Sequence, residues 1–186
     1  MITSRLFPAR WAFLMFVPLF CLLLAGRANP VTTGNPFQRF YGEWTLKDDR
    51  WTQNWGSGAE EIQLPQHHTL CRAINTDNSL LAVVDGPPPH GHIFWTYDRA
   101  TGAVRHLSSF GPVRIGTGEG SVGPNGDVAL KVSFSDEPPG TYRRYTYRWI
   151  SDDEYELRSV QYDKDDQPTG GFYGGRFLRL KRAAGR

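Results

Sequence analysis

From residue 42 onward, no long stretch of the sequence keeps the 3.6-residue apolar repeat of an amphipathic helix. Short β-branched and aromatic segments recur instead, cut by Gly, Pro, Asn and Asp, which is how antiparallel all-β chains read. Strands are expected at 42–47, 60–64, 69–75, 80–85, 92–97, 104–110, 114–122, 128–135, 141–150, 155–162 and 175–181. The turns between them are explicit: "DRATG", "GPNGD", "DEPPG", "SDDE" and "DKDDQPTGG". Only "PFQRF", residues 36–40, reads as a helical turn. Consecutive short strands on tight turns favour sequential pairing. A sheet of about ten such strands tends to curl and close, because closure removes exposed edges. The expectation is an all-β antiparallel meander closing into a barrel, with a two-sheet sandwich as the alternative.

The first residues carry a different signal. Arg5 and Arg10 precede "WAFLMFVPLFCLLLA", an uncharged and mostly apolar run of fifteen residues, and "GRANP" follows. A basic start, a short apolar run and small residues before a polar chain are the marks of a secretory signal peptide. The run is shorter than the roughly 20 residues of a membrane-spanning helix, and Pro18 interrupts it. Cleavage is expected after Ala28, leaving 29–36 as a linker, 37–182 as the barrel and 183–186 as a disordered tail. A secreted or periplasmic location follows, with no stable membrane insertion after cleavage.

Removing the leader changes the charge argument. It holds three of the 21 basic residues and none of the 19 acidic ones, leaving 18 against 19, a net of −1. A nucleic-acid binder needs a basic stripe to displace counterions from phosphates. Only "RFLRLKRAAGR" at the end is locally basic, and it reads as a last strand with its tail. No nucleic-acid partner is expected. One cysteine, Cys71, remains beyond the leader, so no intramolecular disulfide can form. Among apolar neighbours it reads as a buried, inert thiol, and a core alone must hold the domain as a monomer or homodimer.

Two ends of the chain carry a resemblance. "FYGEWTL" places Gly42-x-Trp44 on the first strand after a turn-like segment, and "GGRFLRL" puts Arg176 and Arg179 on the last. This resembles the lipocalin pattern, in which that tryptophan packs under a late arginine and plugs the barrel base. The resemblance implies structural roles for Gly42, Trp44 and Arg179, with Arg176 as the other candidate partner; cation–π attraction is its physical basis. "WTYDRATGAVRHLSSFG" followed by "GPNGDVALKVSF" is also similar to a poorly characterised group of lipocalin-like secreted bacterial barrels. Nitrobindin-type haem barrels share the architecture but place an axial histidine toward the C-terminus. This chain has no histidine after His106, and no cofactor is expected.

The stretch "GPPPHGHIFWTYDRATGAVRHLSSFG" holds His90, His92 and His106. The turn at 98–103 sets His106 opposite Phe94 or Trp95, and His92 opposite Ser108 or Ser109. That separates the two imidazoles by about 7–10 Å at strand rise, too far for one zinc ion without help from His67 or His68. No metal is expected, and His90 and His92 read as rim residues. "GTGEG" puts Gly116, Gly118 and Gly120 on one strand face, the pattern of curvature or close backbone approach and not of a dinucleotide site. "DKDDQPTGG" departs from a calcium loop and reads as a solvated turn. "YRRYTYRW" sets Arg144, Thr146 and Arg148 against Tyr145, Tyr147 and Trp149, and one of these faces must be interior.

The sequence therefore points to a barrel that binds a small, largely apolar or aromatic ligand. Trp95, His106, Arg114, Tyr145 and Tyr147 are the expected lining, with Trp95 and Tyr147 stacking on the ligand and His106 and Arg114 orienting a polar or anionic end. The alternative is an isomerase, cyclase or hydrolase in the same cup. There His106 would be the general base, with Glu119 or Asp98 to orient it. A third reading is an interaction module whose barrel is filled by its own side chains.

Overall fold

The computed structural model describes residues 34–74 and 77–181. The expected leader, the tail at 183–186 and most of the linker lie outside the described residues. Twelve strands follow a 3-10 turn at Gln38–Phe40: β1 Gly42–Leu46, β2 Arg50–Asn54, β3 Glu60–Gln63, β4 His68–Arg72, β5 Ser79–Asp85 and β6 Gly91–Asp98. They continue as β7 Ala103–Phe110, β8 Arg114–Val122, β9 Val128–Phe134, β10 Tyr142–Ser151, β11 Glu154–Tyr162 and β12 Pro168–Arg179. No helix among the described residues is long and apolar enough to cross a membrane.

Each strand from β4 to β12 pairs antiparallel with the next, and β1 closes the ring. It lies against β4 through Trp44↔Thr69 and against β12 through Trp44↔Arg179. The result is a closed ten-strand antiparallel barrel of lipocalin-like architecture, as the turn-punctuated sequence implies. The sandwich alternative is set aside, because a sandwich leaves the first and last strands unpaired with each other.

Two departures from the sequence reading occur at one place. The first wall strand does not run straight. It breaks at a second 3-10 turn, Lys47–Asp49, where Asp48 and Asp49 take positive φ. It restarts as β2, which the sequence reading lacks, and pairs with a higher part of β12 through Tyr173↔Gln53. β12 itself begins at Pro168, not 175. "RWTQN" offers one aromatic and no clean alternation, so its strand state is decided by the partner it meets. Pro168 and Gly170 read as turn residues, but a proline at the first position of a strand removes no interior ladder bond.

Alternation fixes the interior. In β9, Val128, Leu130, Val132 and Phe134 are buried while the residues between them are exposed, the period of a half-buried strand. In β10 the buried face is Arg143, Tyr145 and Tyr147, and Arg144, Thr146 and Arg148 face out. On β8 a Cβ at Gly118 or Gly120 would run into the Lys131 or Ala129 carbonyl of β9. The glycine row therefore allows close backbone approach, as its spacing implies.

One end of the barrel is plugged. Trp44 is fully buried, and its indole N–H donates to the Phe40 carbonyl at 2.7 Å. The Arg179 guanidinium lies 4.3 Å from the ring centre. It donates to the carbonyls of Tyr41 (2.5 Å), Arg39 (2.7 Å) and Asp152 (3.1 Å), and to the Asp153 carboxylate at 3.0 Å. Gly42 has φ 128°, and a Cβ there would sit 3.0 Å from Arg179 Nη1. The glycine of Gly-x-Trp is thus what admits the arginine. Arg176 is exposed beside Glu154 and plays no part in the plug.

Candidate functional site

Above the plug the barrel is not filled. A cavity of ≈ 320 Å³ runs from an aromatic floor to the opposite end. Phe40, brought inward by the 3-10 turn, makes the floor with Trp95 (ring centres 5.5 Å apart), Tyr155 (5.5 Å) and Tyr147 (6.1 Å). These rings meet edge-on, the arrangement their quadrupoles favour. The five expected lining residues, Trp95, His106, Arg114, Tyr145 and Tyr147, all contribute to the cavity wall. Inward parity on β6, β7, β8 and β10 puts them there.

His106 pairs with Trp95 across β6 and β7, and His92 pairs with Ser109. Inside the wall the Trp95 Nε1–H donates to His106 Nδ1 at 2.9 Å, and His106 Nε2 lies 3.0 Å from the Ser108 hydroxyl. An indole can only donate, so Nδ1 must be the acceptor, and the proton of the neutral imidazole sits on Nε2. Burial holds the ring neutral, lowering its pKa to about 4. His106 therefore has no free lone pair to act as a base, and Ser108 accepts its N–H and is not activated by it. Neither carboxylate proposed to orient His106 reaches it. Glu119 pairs with Arg105 on the outer surface, and Asp98 caps its own turn through Ala100 and Thr101.

Arg114 differs from the expectation of a cation open to an anionic ligand. Its guanidinium lies 3.8 Å from the Phe134 ring centre and is already paired, at 2.7 and 2.9 Å with Asp136 and at 2.9 Å with Glu137. Glu137 also accepts from Arg143 Nε at 2.5 Å and from Gln161 at 3.1 Å. Burial opposes the Glu137 charge, but these donors outweigh it and hold its pKa below the usual value. Two arginines meet two carboxylates, and the mouth cluster is balanced.

Three residues of the cavity wall and mouth stand outside the lining expected from the sequence. Arg143 is buried with its guanidinium over the rings of Tyr173 (4.8 Å) and Trp55 (5.0 Å). Its signal was parity: it lies two residues before Tyr145, on the same face. Trp55 is half-exposed at the cavity mouth, on a loop where Gly56 and Gly58 take positive φ. His67 lines the cavity with Trp51 and Phe177 beside it, and its buried Nδ1 has no hydrogen-bond partner. Burial lowers its pKa. Cys71 is also in the wall, its thiol pushed up to about 12 by burial. His90 and His92 are exposed. No group of three or more metal-ligating side chains occurs among the described residues.

No protein-family model matches the chain, and no curated protein matches it. Among solved structures it is similar to EF1p2_mFAP2b bound to DFHBI, at 11% identity and a TM-score of 0.36, over 80% of this chain and 100% of that one. It is also similar to a protein of unknown function of the DUF3598 family from Nostoc punctiforme, at 8% identity and a TM-score of 0.21, over 78% and 98%. Likenesses this distant carry no argument about activity; the fold rests on the strand pairing.

Proposed function

We propose that this protein binds a small, largely apolar or aromatic molecule inside its barrel, as an exported member of the lipocalin-like bacterial barrels it resembles. The cavity is the observation that carries the reading. Its ≈ 320 Å³ falls at the lower end of the range for small-ligand pockets, and a barrel packed by its own side chains would leave no such space. The aromatic floor supplies faces for a planar ligand, and the polar atoms of the wall are few. The enzyme alternative loses its base, because both His106 ring nitrogens are already engaged.

Thermal shift and tryptophan fluorescence test the reading directly, since Trp51, Trp55 and Trp95 all border the cavity. A panel of neutral aromatics, phenols, hydrophobic acids and porphyrins should give at least one compound that raises Tm and changes the emission. A panel that moves neither signal overturns it. Export is tested separately by intact mass: the exported chain should begin near Asn29, and one still carrying residues 1–25 would refute the leader.

A further inference from the structure

Three kinds of polar group border or approach the cavity, and they differ in what they leave unpaired. The charged groups at the mouth are paired among themselves, Arg114 with Asp136 and Glu137, and Arg143 with Glu137. Inside the mouth burial holds side chains neutral, lowering the pKa of His67 and His106 and raising those of Cys71, Tyr145, Tyr147 and Tyr155. The third kind is Ser108. The chain of bonds from Trp95 through His106 has one direction, because its first member can only donate. Ser108 Oγ receives the His106 Nε2–H, so its own proton is left to give, and no acceptor among the described residues takes it. Ser108 lies in the cavity wall and is 1% exposed.

Resting on the binding reading above, we propose that the cavity selects an uncharged aromatic molecule bearing a carbonyl or phenolic oxygen, which accepts the Ser108 hydroxyl hydrogen. Trp95 and His106 position that hydroxyl, and the floor rings take the aromatic body. Bringing a carboxylate past the balanced mouth would strip its hydration with no free cation among the described wall residues to compensate. Arg143 Nη1 is buried without a partner. Its guanidinium sits over Tyr173 and Trp55 with its charge met by Glu137, so it is the competing anchor that the experiment must separate.

Equilibrium dialysis with 2-acetylnaphthalene, 2-ethylnaphthalene and 2-naphthoate distinguishes these outcomes. The ketone should bind about 3- to 10-fold tighter than the hydrocarbon, the yield of one hydrogen bond, and the carboxylate weakest. Ser108→Ala should bring the ketone to the hydrocarbon's affinity while leaving the hydrocarbon unchanged, with Tm showing that the variant is folded. Equal binding of ketone and hydrocarbon to the wild type, or a ketone preference that survives Ser108→Ala, overturns this inference and leaves the binding reading standing. Tightest binding of 2-naphthoate also overturns it, in favour of Arg143. If none of the three binds, this inference is overturned, and the wider panel decides the binding reading.

Discussion

Each end of the barrel sets a tryptophan under arginine, and the two pairs have opposite character. At the plug, Trp44 is fully buried under Arg179, whose N–H groups are spent largely on backbone carbonyls of the first 3-10 turn and the β10–β11 turn. At the mouth, Trp55 is 54% exposed near Arg114 and Arg143, whose hydrogen-bonded N–H groups go to carboxylates. Carbonyls fix an arginine to the fold and do not titrate. Carboxylates balance charge and do. The same residue pair thus seals one end, and at the other borders an opening carried on a glycine-flanked loop.

The widest gap between the ends should appear on truncating the indoles. Trp44→Ala should cost about 3–5 kcal/mol in urea unfolding, as expected for a buried aromatic that leaves a cavity. A cost below about 1 kcal/mol would mean the plug does not hold the barrel closed. Next in size is an effect of acid on the interior between the ends. The folded pKa of His106, about 4, lies below the unfolded 6.5. Between those values the unfolded chain binds more protons, so stability is full above pH 6.5 and falls as pH drops toward 4, by roughly 3 kcal/mol. His67 adds to the loss in the same direction. Denaturation midpoints measured from pH 7 to 4 should show the fall, and His106→Gln should flatten it. Glu137, held below its usual value, loses its contribution only at still lower pH, loosening the mouth while the carbonyl-held plug stays intact.

Arg179→Ala should cost about 2 kcal/mol, from the cation–π contact and the carbonyls it leaves without a donor. Combined with Trp44→Ala it should be less than additive by about 0.5–2 kcal/mol, because the two side chains touch. Strict additivity would separate them. The smallest stability effect should be Trp55→Ala, under about 1 kcal/mol for a half-exposed loop residue. Its signature is kinetic: stopped-flow release of a bound aromatic should speed up with little change in Tm. A large loss of stability there would erase the contrast between the ends.

How much of this the sequence carries differs from residue to residue. The aromatic lining was legible wherever alternation was clean, as at Trp95, Tyr145 and Tyr147, because a strand sends every second side chain inward whatever its neighbours are. Arg143 obeyed the same parity but was hidden by its chemistry, since a buried arginine is expected only where partners can be seen. Those partners, Glu137 and the rings of Tyr173 and Trp55, lie 6, 30 and 88 residues away. The role of His106 was half legible: its position opposite Trp95 follows from the turn, but not which nitrogen carries the proton.

The sequence by itself determined most of the strands and the sequential antiparallel order from β4 to β12, because pleat and turn chemistry act over a few residues; the plug of Trp44 under Arg179 was legible only through the resemblance that Gly-x-Trp carries. Only the tertiary structure decided where the first strand breaks into β1 and β2, which charges cancel at the mouth, and that His106 is a donor to Ser108 and not a base. Those outcomes depend on single side-chain atoms coming within hydrogen-bond distance, which strand alternation and turn chemistry do not specify.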